Sequence, residues 1–266
     1  MKYLLFTALS FLLFACQTEG TAGETASSED NSSVSTTEAN PAAPGFDLAG
    51  SDPQAIAIAD SVVAAHGGRS AWDRIRFLRF NFFGNRELTW DRYQQRIRIS
   101  SNSDSTILLY NGSTGEGRAM LGLEEVTDPL KLDSLMKRAR GIMINDTYWL
   151  IQPFKLKDSG VTLTYAGEVA TDNQKQRPSH ILQLDFKEVG NTPDNRYRIY
   201  VDQETYLINA WQYFPTTEAT EPALETPFDN YHEIAGVLFS DDRSGRFQLA
   251  PVEVLDELDD AIFEEF

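Results

Sequence analysis

Cysteine, histidine and basic residues are all scarce in this sequence. One cysteine among 266 residues excludes a disulfide framework, and it also excludes zinc and iron–sulfur sites built from several thiolates. Lys and Arg number 23 against 40 Asp and Glu, which gives a formal net charge of −17 and makes nucleic acid a poor partner. Hydrophobic residues nevertheless make up 41% of the chain, so we expect a folded protein rather than an intrinsically disordered one.

A hydrophobic run long enough to cross a bilayer is also missing, although a short one begins the chain. Residues 3–14 are apolar almost without interruption. This run is shorter than a membrane-spanning helix, which needs about 20 residues, and its length is typical of a signal-peptide core. The run closes with Leu13-Phe14-Ala15-Cys16, which resembles the lipobox of bacterial lipoproteins. The resemblance implies a signal peptide over residues 1–15 and a lipid on Cys16. The alternative is an ordinary secretory signal that happens to end in cysteine.

The residues around and after the lipobox predict how the protein is held. Two or more acyl chains anchor a protein stably, so we expect attachment to a membrane of the bacterial cell envelope. Gln17 is not the aspartate that retains many lipoproteins in the inner membrane, which favours the outer membrane and leaves its periplasmic or surface face open. Residues 16–50 are rich in Ser, Thr, Ala, Glu and Gly and contain no Lys or Arg, so they predict a disordered polar tether.

Residues 51–266 are expected to form a single folded domain. Asp52-Pro53 begins a helix that Gly67-Gly68 ends, and Asp128-Pro129 begins a second helix. Elsewhere, apolar and polar residues alternate with the period of a β-strand. The predicted strands cover residues 78–82, 88–90, 97–99, 106–110, 148–151, 161–165, 181–186, 196–201, 206–213, 237–239 and 252–255. The acidic end, residues 253–266, is expected to dock through a thin apolar edge.

This pattern predicts a mainly β protein of the α+β class. We expect a large curved antiparallel sheet, or an unclosed half-barrel of roughly ten strands, with about two helices packed on it. The sheet must curl because it has to cover its own apolar face. Whether the space inside the curve is filled by side chains or left open is the question on which function depends.

Several segments resemble a family of bacterial outer-membrane lipoproteins of unknown function, from about residue 53 onward. They are His66-Gly67-Gly68, Ala71-Trp72, Ile144-Asn145-Asp146-Thr147-Tyr148-Trp149-Leu150, residues 153–161, Val252-Glu253-Val254 and residues 258–263. A helix against a curved antiparallel sheet is, more distantly, similar to the LolA and LolB type of lipoprotein-localisation factor. Those factors are unclosed barrels with an apolar cavity that carries or receives acyl chains, so the resemblance implies a similar fold and an acyl-chain ligand.

Candidate catalytic and metal-binding residues form no recognisable motif. His66 ends the first predicted helix, where a capping or packing role is favoured over catalysis. His180 and His232 lie in separate regions, without a second ligand at metal-binding spacing. The carboxylates considered for acid–base chemistry, which are more simply turn and strand-end residues, are Asp91, Asp146 and Asp158. No catalytic residue, metal site or cofactor is therefore predicted.

Residues 148–157 are the most unusual segment, because aromatic side chains there precede lysines in an otherwise acidic chain. Such a segment could line an apolar pocket whose mouth attracts an anionic head group. The predicted ligand-binding residues are Trp90, Tyr148, Trp149, Phe154 and Lys155. The alternative is that the aromatic rings fill the core and the lysines are solvated.

Two functions of different classes fit this sequence. The first is a membrane-anchored binding or carrier module that holds an apolar ligand, such as an acyl chain, in the cavity of the curved sheet. The second is a non-catalytic envelope lipoprotein with a filled core, which acts through a protein partner. An enzyme is the least favoured class, because no convergent set of titratable groups is recognisable.

Overall fold

The structure is a computed structural model that describes residues 40–172, 174–187, 189–190 and 194–266. The predicted signal peptide, the predicted lipid-bearing Cys16 and the part of the predicted tether before Asn40 lie outside the described residues. Within the described part, no helix is both long and apolar enough to span a membrane.

The two predicted helices are confirmed, and shorter ones accompany them. The helices are α1 (Pro53–Ala65), α2 (Gly68–Arg74), α3 (Pro129–Ile151) and α4 (Ala261–Glu264), with a 3₁₀ helix over Gln152–Lys155. Asp128 caps α3 as expected, because its carboxylate accepts a hydrogen bond from Lys131 N at 2.9 Å. Asp52 also stands at a helix start, but its carboxylate accepts from Tyr165 N at 2.8 Å and so ties α1 to a strand instead.

The strands form three antiparallel sheets. The large sheet has the order β15-β1-β2-β3-β4-β5-β6, the five-stranded sheet β11-β10-β9-β8-β7, and the small sheet β12-β13-β14. Their bounds are β1 Phe77–Phe82, β2 Arg86–Asp91, β3 Arg96–Ser101, β4 Ile107–Asn111, β5 Gly117–Leu121, β6 Glu124–Glu125, β7 Val161–Val169, β8 Ser179–Phe186, β9 Arg196–Asp202, β10 Ile208–Phe214, β11 Leu224–Pro227, β12 Asp229–Ile234, β13 Val237–Arg243, β14 Phe247–Gln248 and β15 Val252–Leu255. The predicted class, α+β with unclosed antiparallel sheets, is confirmed, although the strands divide among three sheets.

The strand predicted at residues 148–151 is wrong, because α3 continues through it to Ile151. The buried residues of α3 follow one helical face through Met136, Ala139, Thr147 and Leu150. The preference of aromatic and β-branched residues for strands is weak and depends on packing. Here these residues pack equally well on the buried face of a helix. The helix ends where Pro153 cannot donate the next backbone hydrogen bond, and the chain tightens into the 3₁₀ turn.

Gly67 allows α1 to approach the small sheet closely. Its φ is 100°, a left-handed conformation that favours glycine, and an added Cβ would lie 2.0 Å from the carbonyl oxygen of Gly236. The preceding carbonyl, of His66, accepts a hydrogen bond from Leu238 N at 3.1 Å. The His66-Gly67-Gly68 motif therefore ends the helix and fixes the end of α1 against β13.

Two apolar clusters stabilise the domain. The first cluster lies between the large sheet, α2, α3 and the small sheet, and includes Leu78, Phe80 and Ile99. The second cluster lies between α1 and the five-stranded sheet, and includes Leu182 and Trp211. Trp149 packs against both clusters, so the end of α3 joins them.

Both ends of the described chain pack on the domain. Asn40–Pro44, which we call the strap, belongs to the predicted tether, yet Ala43 N donates to Lys157 O at 2.9 Å. The folded part thus begins before residue 51. At the other end Phe263 is buried and stacks on Phe77, with ring centroids 6.3 Å apart. Arg98 Nη1 also donates to the carbonyl of Glu265 at 2.6 Å, so arginine contacts reinforce the predicted apolar edge.

Candidate functional site

A cavity of about 440 Å³, which we call the strap cavity, lies where the strap crosses the first cluster. Its walls come from the strap, α1, α2, β2, the end of α3 and the 3₁₀ turn. They are Asn40, Pro41, Ala42, Ala43, Pro44, Val63, Arg69, Trp72, Trp90, Arg92, Gln95, Ile151, Phe154, Lys155, Leu156, Lys157 and Asp158. This volume lies within the range of about 300–1,000 Å³ typical of small-molecule sites.

A second cavity of about 380 Å³, the helix cavity, lies along α3 on the other side of the same wall. The two cavities share lining residues and are therefore neighbours. The shared residues are Trp90, Gln95, Ile151, Lys155 and Asp158. A small cleft of about 80 Å³, the aromatic cleft, adjoins the helix cavity through Tyr148 and Phe186. The three spaces therefore adjoin one another in series along the end of α3, and the helix cavity and the aromatic cleft also border the five-stranded sheet through Phe186.

The structure brings three predicted ligand-binding residues together around the strap cavity. Trp90 and Phe154 are largely buried there, and Phe154 stacks on Trp72 with ring centroids 4.6 Å apart. Lys155 lines both larger cavities and pairs with Asp158 at 2.5 Å. These residues come from β2 and the 3₁₀ turn, which are distant in sequence.

The other two predicted residues face different surroundings. Tyr148 lines the helix cavity and the aromatic cleft, and its ring lies 5.7 Å from that of Trp211 in the second cluster. Trp149 lines only the small cleft and packs against Phe83 and Phe247 at 4.9 and 5.7 Å. Its carbonyl accepts a 2.6 Å hydrogen bond from the buried Arg243. Trp149 is therefore mainly a packing residue in this structure.

A buried ion pair fixes one wall of the strap cavity. Lys157 Nζ lies 2.5 Å from Asp60 Oδ1 on α1, and both side chains are 4% exposed. Asn40 Nδ2 donates to the same carboxylate oxygen at 2.8 Å. The pair holds the strap, α1 and the segment after the 3₁₀ turn in one place, because an unpaired charge at this depth would be costly.

Arg92 is the cation of this cavity without a carboxylate partner among the described residues. Its guanidinium lies 3.6 Å from the centroid of the Trp72 ring, and Nη1 donates to the carbonyls of Trp72 and Ile75. Burial lowers the pKa of Arg92 to about 10, which still leaves it charged at neutral pH. Arg69 and Asp73, which form an ion pair at 3.0 Å, also act on the pKa of Arg92: the charge of Asp73 raises it and that of Arg69 lowers it.

His66 is a packed, uncharged side chain. It is fully buried, its Nδ1 lies 2.7 Å from Val62 O, and its ring meets the edges of Phe154 and Tyr231. Burial lowers the pKa of His66 to about 4 despite the hydrogen bond with Val62. Packing therefore fits this residue better than a charged helix cap.

The three candidate aspartates lie in separate ion pairs. Asp91 pairs with Arg76 and Arg96 on the outer face of the large sheet, and Asp146 pairs with Arg86 at 2.6 Å. Asp158 pairs with Lys155, as described above. Among the described residues, no group of three or more His, Cys, Asp or Glu side chains could hold a metal ion.

Sequence reasoning missed three features of the site. The strap has a tether-like composition, and only its packing distinguishes it from the preceding residues. Arg92 follows a strand end without any motif, and the partner of Lys157 lies on a helix 97 residues away. The helical spacing of Met136, Ala139 and Thr147 was a signal in the sequence that could have extended α3.

No protein-family model and no curated protein matches this sequence. A DUF1329 family protein from Desulfovibrio piger has a distant structural likeness, with 13% identity and a TM-score of 0.43 over 81% of this chain and 98% of that one. A Vibrio parahaemolyticus domain described as outer-membrane lipoprotein-sorting has 8% identity and a TM-score of 0.44 over 80% and 97% of the two chains. A LolA superfamily protein from Nitrosomonas europaea has 10% identity and a TM-score of 0.40 over 77% and 96%.

The expected distant similarity to LolA-type structures is therefore present, while the expected sequence family finds no match. Likeness of this degree supports no statement about function.

Proposed function

We propose that this protein binds an apolar ligand, such as an acyl chain, in the strap and helix cavities. The observation that carries the proposal is the series of adjoining cavities beside a well-packed core. Aromatic and aliphatic residues make up rather more than half of their lining, and charged and polar side chains make up most of the rest. Sites for small molecules likewise combine apolar surface with polar groups that orient the ligand.

The walls also indicate how a ligand would be enclosed. The strap forms one side of the cavity and is held through Asn40 and Ala43. Trp72, Trp90 and Phe154 supply rigid apolar surface on the other side. A ligand that enters beneath the strap would replace water along these rings, and that exchange provides the free energy of binding.

We propose further that the protein works as a lipid-anchored lipoprotein of the bacterial envelope, on the outer membrane. This proposal rests on the Leu13-Phe14-Ala15-Cys16 sequence and on Gln17. A Cys16→Ser variant is expected to leave the membrane fraction, because the acyl chains would no longer be attached. Continued membrane attachment of that variant would contradict the lipobox interpretation.

The test of ligand binding uses a protein that comprises residues 34–266, a range that contains both apolar clusters. After production in a bacterial periplasm, native mass spectrometry is expected to reveal a lipid-sized adduct on the protein. The neutral fluorophore N-phenyl-1-naphthylamine is expected to bind the delipidated protein with one site. A clean apo mass together with no fluorophore binding would contradict the proposal and favour the interaction protein with a filled core.

A matched pair of tryptophan substitutions localises the site. Ile151→Trp adds a large side chain to the wall that the two cavities share and is expected to weaken fluorophore binding by about tenfold or more. Leu130→Trp places the same side chain on the solvent face of α3, where Leu130 is 84% exposed, and is expected to leave binding unchanged. Equal effects of the two variants would remove the cavities from the binding site.

A further inference from the structure

The positive charges around the strap cavity are unusual in a chain with a net charge of −17. Four cationic side chains line it, namely Arg69, Arg92, Lys155 and Lys157. Carboxylates neutralise three of them, because Arg69 pairs with Asp73, Lys155 with Asp158 and Lys157 with Asp60. One positive charge, that of Arg92, remains on the cavity wall.

Arg92 is held in place by its surroundings. Its guanidinium stacks on Trp72, and Nη1 is fixed by the carbonyls of Trp72 and Ile75 at the end of α2. The second terminal amino group, Nη2, makes no hydrogen bond to the described residues. The side chain is only partly exposed, so water screens its charge less than that of a surface arginine. Arg92 is therefore a preorganised hydrogen-bond donor beside the aromatic rings of the strap cavity.

We infer that the ligand of the strap cavity is an amphiphile with a single anionic head group, which Arg92 binds while the hydrocarbon chain lies along Trp90 and Phe154. This inference rests on the proposed function and specifies its ligand class. A cavity that combines aromatic rings with one uncompensated cation matches a molecule with one negative end and an apolar body. Guanidinium binds carboxylate and phosphate oxygens equally well in geometry, so a carboxylate or a singly charged phosphodiester satisfies the site.

The paired cations set the selectivity of the site. Lys155 is paired with Asp158 and Lys157 with Asp60, so neither lysine is free to bind a second negative charge on the ligand. A second negative charge placed near these lysines would also lie near the two carboxylates. Repulsion from these carboxylates favours one negative charge over two. A neutral head group would leave the charge of Arg92 uncompensated in a partly dry site.

The test compares ligands that share a twelve-carbon chain and differ in the head group. Dodecanoate, dodecyl phosphate and 1-dodecanol, each below its critical micelle concentration, compete with N-phenyl-1-naphthylamine for the Val34–Phe266 protein. Dodecanoate is expected to bind about tenfold tighter than dodecanol, because one charge-assisted hydrogen bond contributes roughly that factor. Inorganic phosphate is expected not to compete, and competition by it at the affinity of dodecyl phosphate would overturn the inference.

Failure of the inference and failure of the proposed function give different results. If dodecanol and dodecanoate displace the fluorophore equally, ligand binding stands and the head-group inference is overturned. If no ligand and no fluorophore binds, both are overturned. Dodecyl phosphate carries nearly two negative charges at neutral pH, so it is expected to bind more weakly than dodecanoate. Tighter binding of dodecyl phosphate would overturn the preference for one negative charge.

Substitutions then assign the preference to one residue. Arg92→Met is expected to abolish the roughly tenfold preference for dodecanoate over dodecanol, and Arg92→Lys is expected to retain part of that preference. Arg74→Met removes a cation from the same helix–strand region without touching the cavity, and is expected to keep the full preference. An unchanged preference in a folded Arg92→Met protein, checked by circular dichroism, would overturn the inference. If Arg92→Met does not fold, the comparison of head groups on the native protein still decides it.

Discussion

The two apolar clusters differ in how much of each borders the cavities, because Leu156 is the one buried side chain of the second cluster that lines them, whereas six buried side chains of the first cluster do. In the second cluster α1 lies directly on the five-stranded sheet, and Leu163, Leu182 and Ile199 are 0% exposed. None of these three side chains lines the cavities described above. In the first cluster Trp90 and Ile151 are also buried, yet each forms a wall of both larger cavities.

The helices explain this difference. The buried face of α1 contains Ala55 and Ala59, whose small side chains let the helix approach the sheet closely. The end of α3 contains Tyr148 and Trp149, whose rings contact aromatic rings of both clusters. Trp149 packs against Phe83 on the first cluster, and Tyr148 packs against Trp211 in the second. Tyr148 and Trp149 also line the aromatic cleft beside these ring contacts. The filled cluster should thus govern stability and the open cluster should govern binding.

The largest predicted effect concerns the ion pair that joins the two regions. Lys157→Met leaves the Asp60 carboxylate buried without its cation, so the free energy of unfolding is expected to fall by about 3–5 kcal/mol. Urea unfolding measures this loss. Lys137→Met breaks an exposed pair with Asp133 on α3 and is expected to cost less than about 0.5 kcal/mol. Similar losses in the two variants would mean that burial does not strengthen the Lys157 pair.

One substitution placed in both clusters tests the contrast directly. Leu182→Phe adds volume to the filled cluster, and overpacking is expected to reduce the free energy of unfolding by about 1–3 kcal/mol. Ile151→Phe adds volume beside the two cavities, which can accept the extra atoms, and is expected to cost less than about 1 kcal/mol. Thermal and urea unfolding of both variants measure the difference. Equal costs would show that the clusters are packed alike.

The pH dependence of the free energy of unfolding tests the packing of His66, whose ring contacts Phe154 of the first cluster and Tyr231 beside the second. Burial lowers the pKa of His66 to about 4, so the unfolded chain takes up a proton at higher pH than the folded protein does. The contribution of neutral His66 is full above about pH 6.5 and declines as the pH falls toward 4, by about 2 kcal/mol between pH 7 and pH 5.

Urea unfolding at a series of pH values, with His66→Gln as the reference, isolates this contribution from that of the carboxylates. The variant is expected to lose less stability than the native protein over that interval. A parallel pH dependence in the two proteins would mean that His66 is not neutral and buried.

The smallest predicted effect concerns the strap. Asn40→Ala removes the hydrogen bond to Asp60 and is expected to reduce the free energy of unfolding by about 1 kcal/mol. Because the strap forms one wall of the cavity, its loosening is also expected to accelerate the entry of N-phenyl-1-naphthylamine in stopped-flow fluorescence. An unchanged association rate, with the stability loss present, would show that ligands enter elsewhere.

Local sequence patterns predicted much of the fold. Alternation located β1, β3 and β8 and their buried faces, because a strand with one apolar face has a period of two. Pro129 and its capping aspartate located the start of α3. The end of α3 was missed because Tyr148 and Trp149 have the composition of a strand, and only the preceding turns show that the helix continues.

The candidate site was predicted in part. The unusual residues Trp90, Phe154 and Lys155 do meet at one cavity. Arg92 and the strap were missed, because neither has a pattern that distinguishes it before the chain folds. Their roles depend on neighbours far away in sequence, such as Trp72 and Asp60.

The sequence by itself determined which residues form strands and helices and which faces of them are apolar, since these properties depend on neighbours within a few positions. The tertiary structure decided whether the apolar faces meet without gaps. That outcome depends on how the end of α3 packs through Trp149 against rings from β1 and β10, which are far apart in the sequence. It also depends on ion pairs between residues such as Lys157 and Asp60, which only the folded chain brings together.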